Sequence, residues 1–253
     1  MSFLKKRMLN GECVFGTWTM IPSPTVADVL GRTGLDFLVI DLEHGSISWE
    51  TAENMVLAAK LSNCQPIIRV GDDNENTILH ALETDCQALM VPHVKTFESA
   101  EKISKYARYS PLGTRGLSPY TRCHDYTHEE LAPSMIRHAE DTLVGILVEG
   151  IEGIKNLEKI VKSDGIDLIY LGMYDISQAV GRPGELEHPD VIKQLEYCLN
   201  VIKKAGKLSG TFARDMKACL SFKNMGFSFV AYVADSYGLK YFFEDAVSEF
   251  SKK

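Results

Sequence analysis

Four apolar runs of this 253-residue chain end on residues that can do chemistry. VIDLEHG supplies Asp41, Glu43 and His44, QPIIRV supplies Arg69, LVGILVEG supplies Glu149, and IDLIYLGMYD supplies Asp175. His44 and Arg69 lie 25 residues apart, and Glu149 and Asp175 lie 26 apart, each interval about one strand-plus-helix unit. A carboxylate pair on adjacent strand ends is a seat for a hard divalent cation completed by water and substrate oxygens. An arginine in the same layer binds a small anion through paired N–H donors. A histidine titrates near neutral pH, as a general base must. Together these residue types specify metal-dependent chemistry on a small anion. The competing reading is that each strand-end carboxylate merely caps the helix after it.

The elements that must position these groups follow from the apolar pattern. Near-continuous aliphatic runs recur at CVFGTW, DFLVIDL, QPIIRV, ALMVPHV, LVGILVE, IDLIYLG, LSGTFA and FSFVAYV. Such runs are expected of parallel strands covered on both faces. Between them, WETAENMVLAAKLS, NENTILHALET, TFESAEKISKYAR, IEGIKNLEKIVK and HPDVIKQLEYCLNVIKKAG repeat their apolar residues at three and four, with Gly206 as a C-cap for the last. Eight strands with intervening helices predict a single (β/α)8 TIM barrel over residues 1–253. In that fold the strand C-termini build the active site, so every group named above faces one mouth.

Composition narrows the function classes. An apolar content of 45%, a charged content of 24% and a net charge of -7 suit a globular domain and argue against nucleic acid, which is bound through clustered Lys and Arg. The six cysteines form no CxxC or CxxH pair. With no signal peptide, they predict reduced thiols in a cytoplasmic protein. No apolar stretch approaches the length of a membrane span. One interval is irregular: YSPLGTRGLSPYTRCHDYTHEELAPS is broken by Pro111, Gly113, Gly116 and Pro119. Loops of this length are commonly functional. The segment around 109–127 is therefore expected to lie over the barrel mouth, with Arg122 in SPYTR reaching the distal half of a substrate.

The runs IDLEHGSISWETAENMVLAA, RYSPLGTRG, VEGIEGIKNLEKI and LGMYDISQAVGRPGELEHPDV, taken in order, resemble the HpcH/HpaI aldolase family over nearly the whole chain. The resemblance implies a metal-dependent (class II) pyruvate aldolase acting on 4-hydroxy-2-oxo acids. It implies metal ligation by Glu149 and Asp175, with Mg2+, Mn2+ or Co2+ as the ion, and His44 as the acid/base group, oriented by Asp41. It implies that Arg69 contacts the pyruvate unit. It also implies a homo-oligomer, a hexamer or trimer of dimers, with the C-terminal helix exchanged between subunits. Three positions depart from the family pattern: Leu147 stands for a Gln beside the pyruvate site, Met173 for a Pro beside the metal, and Glu83 for an Asp that reaches a neighbouring subunit. These three are expected to touch substrate and to tune its choice.

The chemistry independently suits the residues. Retro-aldol cleavage removes the C4 hydroxyl proton while the departing pyruvate becomes an enolate, which a divalent ion stabilises as a Lewis acid. Alternatives are decarboxylation or another carbon–carbon lyase reaction at the same site, a Schiff-base aldolase, which needs a desolvated lysine at a strand end, and a non-catalytic barrel serving as a binding module. Among the other histidines, His93 is balanced between pocket and core, His80 reads as a surface or packing residue, and His124 is balanced between substrate contact and loop organisation.

Overall fold

The computed structural model describes residues 3–252. Eight parallel strands close into a barrel in chain order: β1 Val14–Thr19, β2 Phe37–Asp41, β3 Gln65–Arg69, β4 Ala88–Val94, β5 Leu143–Val148, β6 Leu168–Leu171, β7 Leu208–Ala213 and β8 Phe229–Ala234. Each coincides with an apolar run read from the sequence. The helices are α1 Phe3–Leu9, α2 Pro24–Gly31, α3 Trp49–Leu61, α4 Glu75–Glu83, α5 Phe97–Tyr106, α6 Leu131–Asp141, α7 Gly150–Ile160, α8 Met173–Ala179, α9 Pro189–Lys204, α10 Met216–Met225 and α11 Asp235–Ser251, with a 3-10 turn at Arg122–His124. Gly206 follows α9 at φ +70°, a conformation open to glycine at no steric cost, as its reading as a cap requires.

Strand alternation divides the interior into two layers. Side chains at Val14, Trp18, Phe37, Val39, Ile67, Met90, Leu147, Tyr170 and Phe229 fill the lumen, and Leu4 and Met8 of α1 join them. Alternate residues such as Leu38, Ile40, Ile68, Leu89 and Ile146 pack outward beneath the helices. Phe37 and Phe229 stack at 3.8 Å, so the lumen is a packed core and not a pore. Gly16 makes this possible, because a Cβ there would collide with the backbone oxygen and ring of Phe37. The same parity that turns Phe37 and Val39 inward turns Asp41 inward, and the parity of Ile67 brings in Arg69. Asp41 pairs in register with Arg69 across β2 and β3.

The 109–127 segment is not over the mouth. It leaves the C-terminal end of α5 and returns through α6 to the start of β5, so chain direction sends it along the flank. Gly116 approaches Leu79 of α4, Arg115 reaches Glu83 at the end of α4 (2.8 Å), and Arg122 reaches Glu53 on α3 (3.0 Å). Among the described residues no helix is long and apolar enough to cross a membrane.

Candidate active site

A cavity of about 640 Å³ opens at the C-terminal end of the strands and is lined by Asp41, His44, Arg69, Glu149 and Asp175 together with Leu147 and Met173. Seven of the residues expected to make the site therefore converge. Glu83 and Arg122 do not line it, being engaged on the flank as described; Arg122 does not reach the cavity of its own chain, and for Glu83 the resemblance implies a place at a neighbouring subunit's site.

Arg69 is the anchor. Its side chain is 9% exposed, its Nε donates to Asp41 Oδ1 at 2.9 Å, and its Nη2 pairs with Asp41 Oδ2. Its Nη1 stands 3.0 Å from Glu43 Oε2. The Trp18 ring supports the guanidinium from 4.4 Å, and Trp18 Nε1 in turn donates to Tyr170 Oη at 3.3 Å. Full burial raises the Tyr170 pKa, so its hydroxyl keeps its proton. Asp41 was expected to orient the His44 ring, but its oxygens are taken elsewhere. Besides Arg69 it accepts the backbone N–H groups of Glu43 (3.0 Å) and His44 (3.2 Å). It therefore fixes the turn carrying His44 and not the imidazole, which is 65% exposed with Nε2 4.0 Å from Glu43 Oε2.

Glu149 and Asp175 face each other across the next pair of strand ends. Val148 of β5 pairs with Leu171 of β6, one residue before each loop departs. Neither carboxylate caps its own helix: Glu149 stands at the N-cap of α7 and Asp175 in the first turn of α8, and neither position shows a side-chain cap bond. Asp175 Oδ1 instead accepts the Gly150 N–H at 2.8 Å, which ties the two loops together. Gly172 leaves room for this placement of Asp175, because a Cβ there would press on the tip of that side chain at Oδ2. Met173 occupies the first position of α8, where proline's fixed φ also fits, so this departure exchanges one helix start for another without displacing Asp175. The Glu149 pKa is raised, first by burial and further by the charges of Asp175 and Glu43, against the opposing influence of His93.

His93 belongs to this site. Its Nδ1 meets Glu149 Oε2 and its Nε2 meets Glu43 Oε1, each at 2.7 Å, and its backbone N–H donates to Glu149 Oε2 at 3.1 Å. It stands at φ +60° where the β4–β5 register shifts between Val91 and Val94. Bulges re-aim side chains in this way beside active sites. Pro92 is the signal that sequence reading passed over, since proline inside a covered strand marks a bulge. Glu43 was likewise noted but given no role, yet it links Arg69 to His93.

The donor set fits a divalent ion. Two carboxylates share one wall of the cavity, and no protein donor among the described residues bonds Glu149 Oε1 or Asp175 Oδ2. The raised Glu149 pKa reports first the burial of its charge and then the neighbouring carboxylates, and a bound cation offsets both.

Fold and site thus define a (β/α)8-barrel protein with an acidic, arginine-anchored mouth. The sequence profile of the HpcH/HpaI aldolase/citrate lyase family matches residues 15–239, and the chain belongs to that family. It is 31% identical to 2-keto-3-deoxy-L-rhamnonate aldolase of Klebsiella pneumoniae, over 92% of this chain and 86% of the relative. It is 30% identical to hydroxypyruvate/pyruvate aldolase of Roseobacter denitrificans, over 91% of this chain and 90% of the relative. The structure of an HpcH/HpaI aldolase/citrate lyase family protein from Burkholderia cenocepacia superposes with a TM-score of 0.92 at 25% identity, covering both chains completely.

Proposed function

We propose that this protein is a divalent-metal-dependent aldolase that reversibly cleaves a 4-hydroxy-2-oxo acid to pyruvate and an aldehyde. The observation that carries this reading is one cavity in which a buried, doubly anchored arginine faces a carboxylate pair with free oxygens. Glu149 and Asp175 hold the ion, Mg2+, Mn2+ or Co2+, which when bound supplies Lewis-acid stabilisation of enolate charge.

The remaining chemistry belongs to the chain. With Nε and one Nη2 N–H donated to Asp41 and Nη1 in an ion pair with Glu43, the Arg69 guanidinium keeps N–H donors on both Nη for the substrate carboxylate. Asp41 and Glu43 fix the plane of that guanidinium before substrate arrives, which is what preorganised charge stabilisation requires. His44, exposed at the rim, takes the C4 hydroxyl proton. The C3–C4 bond then breaks, its electron pair becomes the enolate of pyruvate, and C4 leaves as the aldehyde carbonyl. Protonation at C3 completes pyruvate, and the same residues serve the reverse addition. Leu147 and Met173, both buried and lining the cavity, shape the space beside the pyruvate unit.

A Schiff-base route finds less support. Lys217 lines the cavity, but it lies exposed on the first turn of α10 and lacks the desolvation that an imine-forming amine needs. The chain is also proposed to act as a homo-oligomer through α11. Asp235 is that helix's only buried residue among those described, while Tyr241, Phe242, Phe243, Val247 and Phe250 are exposed. An apolar face of this kind marks an interaction surface, and a second copy of this chain is the proposed occupant.

The deciding assay couples pyruvate release to a panel of 4-hydroxy-2-oxo acids, with oxaloacetate beside them, in the presence and absence of chelator. Chelator-sensitive release from at least one hydroxy-oxo acid is expected, and borohydride should trap no pyruvate adduct. Release from oxaloacetate alone would replace the aldolase reading by a decarboxylase, and no release from any compound would leave a binding module.

A further inference from the structure

The flank of the barrel carries a second polar cluster that the chemistry of the mouth does not use. Cys123 and His124 lie on the 3-10 turn and His138 on α6. All three are buried, with donor atoms within 4.8 Å of one another. Among the described residues this is the one group of three or more such side chains that close together. Glu83, at the end of α4, places Oε2 3.6 Å from Cys123 Sγ while its Oε1 accepts from Arg115 Nη2 at 2.8 Å.

A hydrogen-bonded core accounts for part of this. His124 meets Tyr109 Oη and Ser134 Oγ, each at 2.8 Å, and His138 Nε2 bonds the Cys123 carbonyl. The surroundings of the sulfur go further. A buried thiol ordinarily sits among hydrocarbon as a small hydrophobe, whereas Cys123 Sγ has Thr121 Oγ1 at 3.3 Å, Arg115 Nη2 at 3.4 Å and the Glu83 carboxylate around it. Arg115 Nε is buried with no hydrogen-bond partner, a spare donor beside a sulfur that becomes anionic when it ligates. The contacts from Arg115 to Glu83 and from His138 to a backbone carbonyl are of the kind that orient metal ligands from outside. Burial also keeps both imidazoles in the neutral form that ligates.

We propose that Cys123, His124, His138 and Glu83 form a structural site for a zinc-class dication, distinct from the catalytic seat at the mouth. One sulfur, two nitrogens and one oxygen make a borderline-soft, four-coordinate set that suits Zn2+, whereas the all-oxygen pair at the mouth suits Mg2+ or Mn2+. Binding releases the Cys123 thiol proton, so the dication with a thiolate and a carboxylate is neutral, and Arg115 supplies the outer positive charge. Zinc bonds of about 2.0–2.3 Å require the three clustered donors to draw together, Glu83, which stands outside that group beside Cys123, to turn its carboxylate inward, and His124 to exchange one hydrogen bond for the metal. The site would clasp the connection between α5 and α6 to α4. That connection contains left-handed residues at Asp125, Tyr126 and Glu130 and little regular structure to hold it.

Cobalt titration of the full-length, chelator-stripped protein tests this, with Mg2+ in excess to fill the mouth. A single equivalent of Co2+ should produce a thiolate-to-cobalt charge-transfer band in the near ultraviolet and the intense visible absorption of tetrahedral cobalt, and Zn2+ should displace both. Cys123→Ser should abolish the charge-transfer band, and Glu149→Gln should leave it intact. Should Cys123→Ser fail to fold, His138→Gln should weaken cobalt affinity at least tenfold. Only weak six-coordinate absorption in the wild type, or a charge-transfer band that survives in Cys123→Ser, overturns the assignment.

Discussion

The mouth of the barrel and its flank each gather charged and titratable side chains, but they finish them differently. At the mouth, Asp41, Glu43, Glu149 and Asp175 surround one arginine, His44 and His93 are exposed, and carboxylate oxygens face the cavity. On the flank, Tyr109, Arg115, Cys123, His124, Ser134 and His138 are all buried and joined chiefly to one another. Buried polar groups left without partners are costly. A cluster that leaves valences open to a cavity therefore does so for a ligand that comes and goes, and one that closes them on itself holds its shape and whatever ion is built into it. The mouth is arranged to exchange its contents, and the flank to keep them.

The severest way to break this contrast is Arg69→Ala. It removes the anion anchor, and kcat/KM should fall by about two to three orders of magnitude, the scale of a lost oxyanion donor. It also strands Asp41, which is 1% exposed. Breaking a buried pair on one side costs about 3–5 kcal/mol, so denaturant unfolding should show a loss of that size, partly recovered by adding Asp41→Asn. An undiminished kcat/KM would falsify the anchoring role.

His93→Ala is expected next in size. Releasing Glu43 and Glu149 from their shared bridge should weaken divalent-ion affinity about 10- to 100-fold, as loss of outer partners does elsewhere. Calorimetric titration with Mn2+ measures this directly, and an unchanged affinity would make His93 a bystander.

Glu149→Gln sharpens the contrast through pH. A carboxyl whose folded pKa is raised contributes stability that is fully present below its unfolded pKa and lost as pH rises through the folded one. Glu149 has such a raised pKa, and Gln cannot ionise. In metal-free protein the variant should melt above wild type at neutral pH, and the gap should close as pH falls through the ordinary carboxylate range. Adding Mn2+ should restore the wild type only. A gap that widens toward acid would contradict the raised pKa that burial and the neighbouring carboxylates give Glu149. Arg122→Ala marks the smallest effect. Its partly exposed pair with Glu53 is worth at most about 1 kcal/mol. Because Arg122 lies outside its own chain's cavity, steady-state kinetics should change by no more than a few-fold. A larger change would indicate that the flank of one subunit serves the mouth of another.

The strands were legible because a parallel barrel buries both faces and so writes eight near-continuous apolar runs. The place of Asp41, Arg69 and Glu149 at the strand ends followed from that pattern, whereas their inward parity is seen only in the fold. Partner choice did not. Nothing in the sequence says that Asp41 spends its oxygens on Arg69 and two backbone amides instead of on the His44 ring. His93 escaped the alternation because a bulge breaks it, with Pro92 the only trace. By composition the 109–127 segment reads as a binding loop over the mouth. Chain direction, helix end to strand start, places it on the flank.

Gly172 separates what this fold can tolerate from what its chemistry can. The obstacle to a side chain there is the tip of Asp175, a mobile group, and not the backbone. A library that varies position 172 should thus return well-folded, soluble but silenced variants, whereas diversity at Leu147 and Met173 should return altered substrate tastes. For anyone redirecting this enzyme, these three positions of one cavity are not equivalent, since Gly172 guards the ligand and the other two only border it.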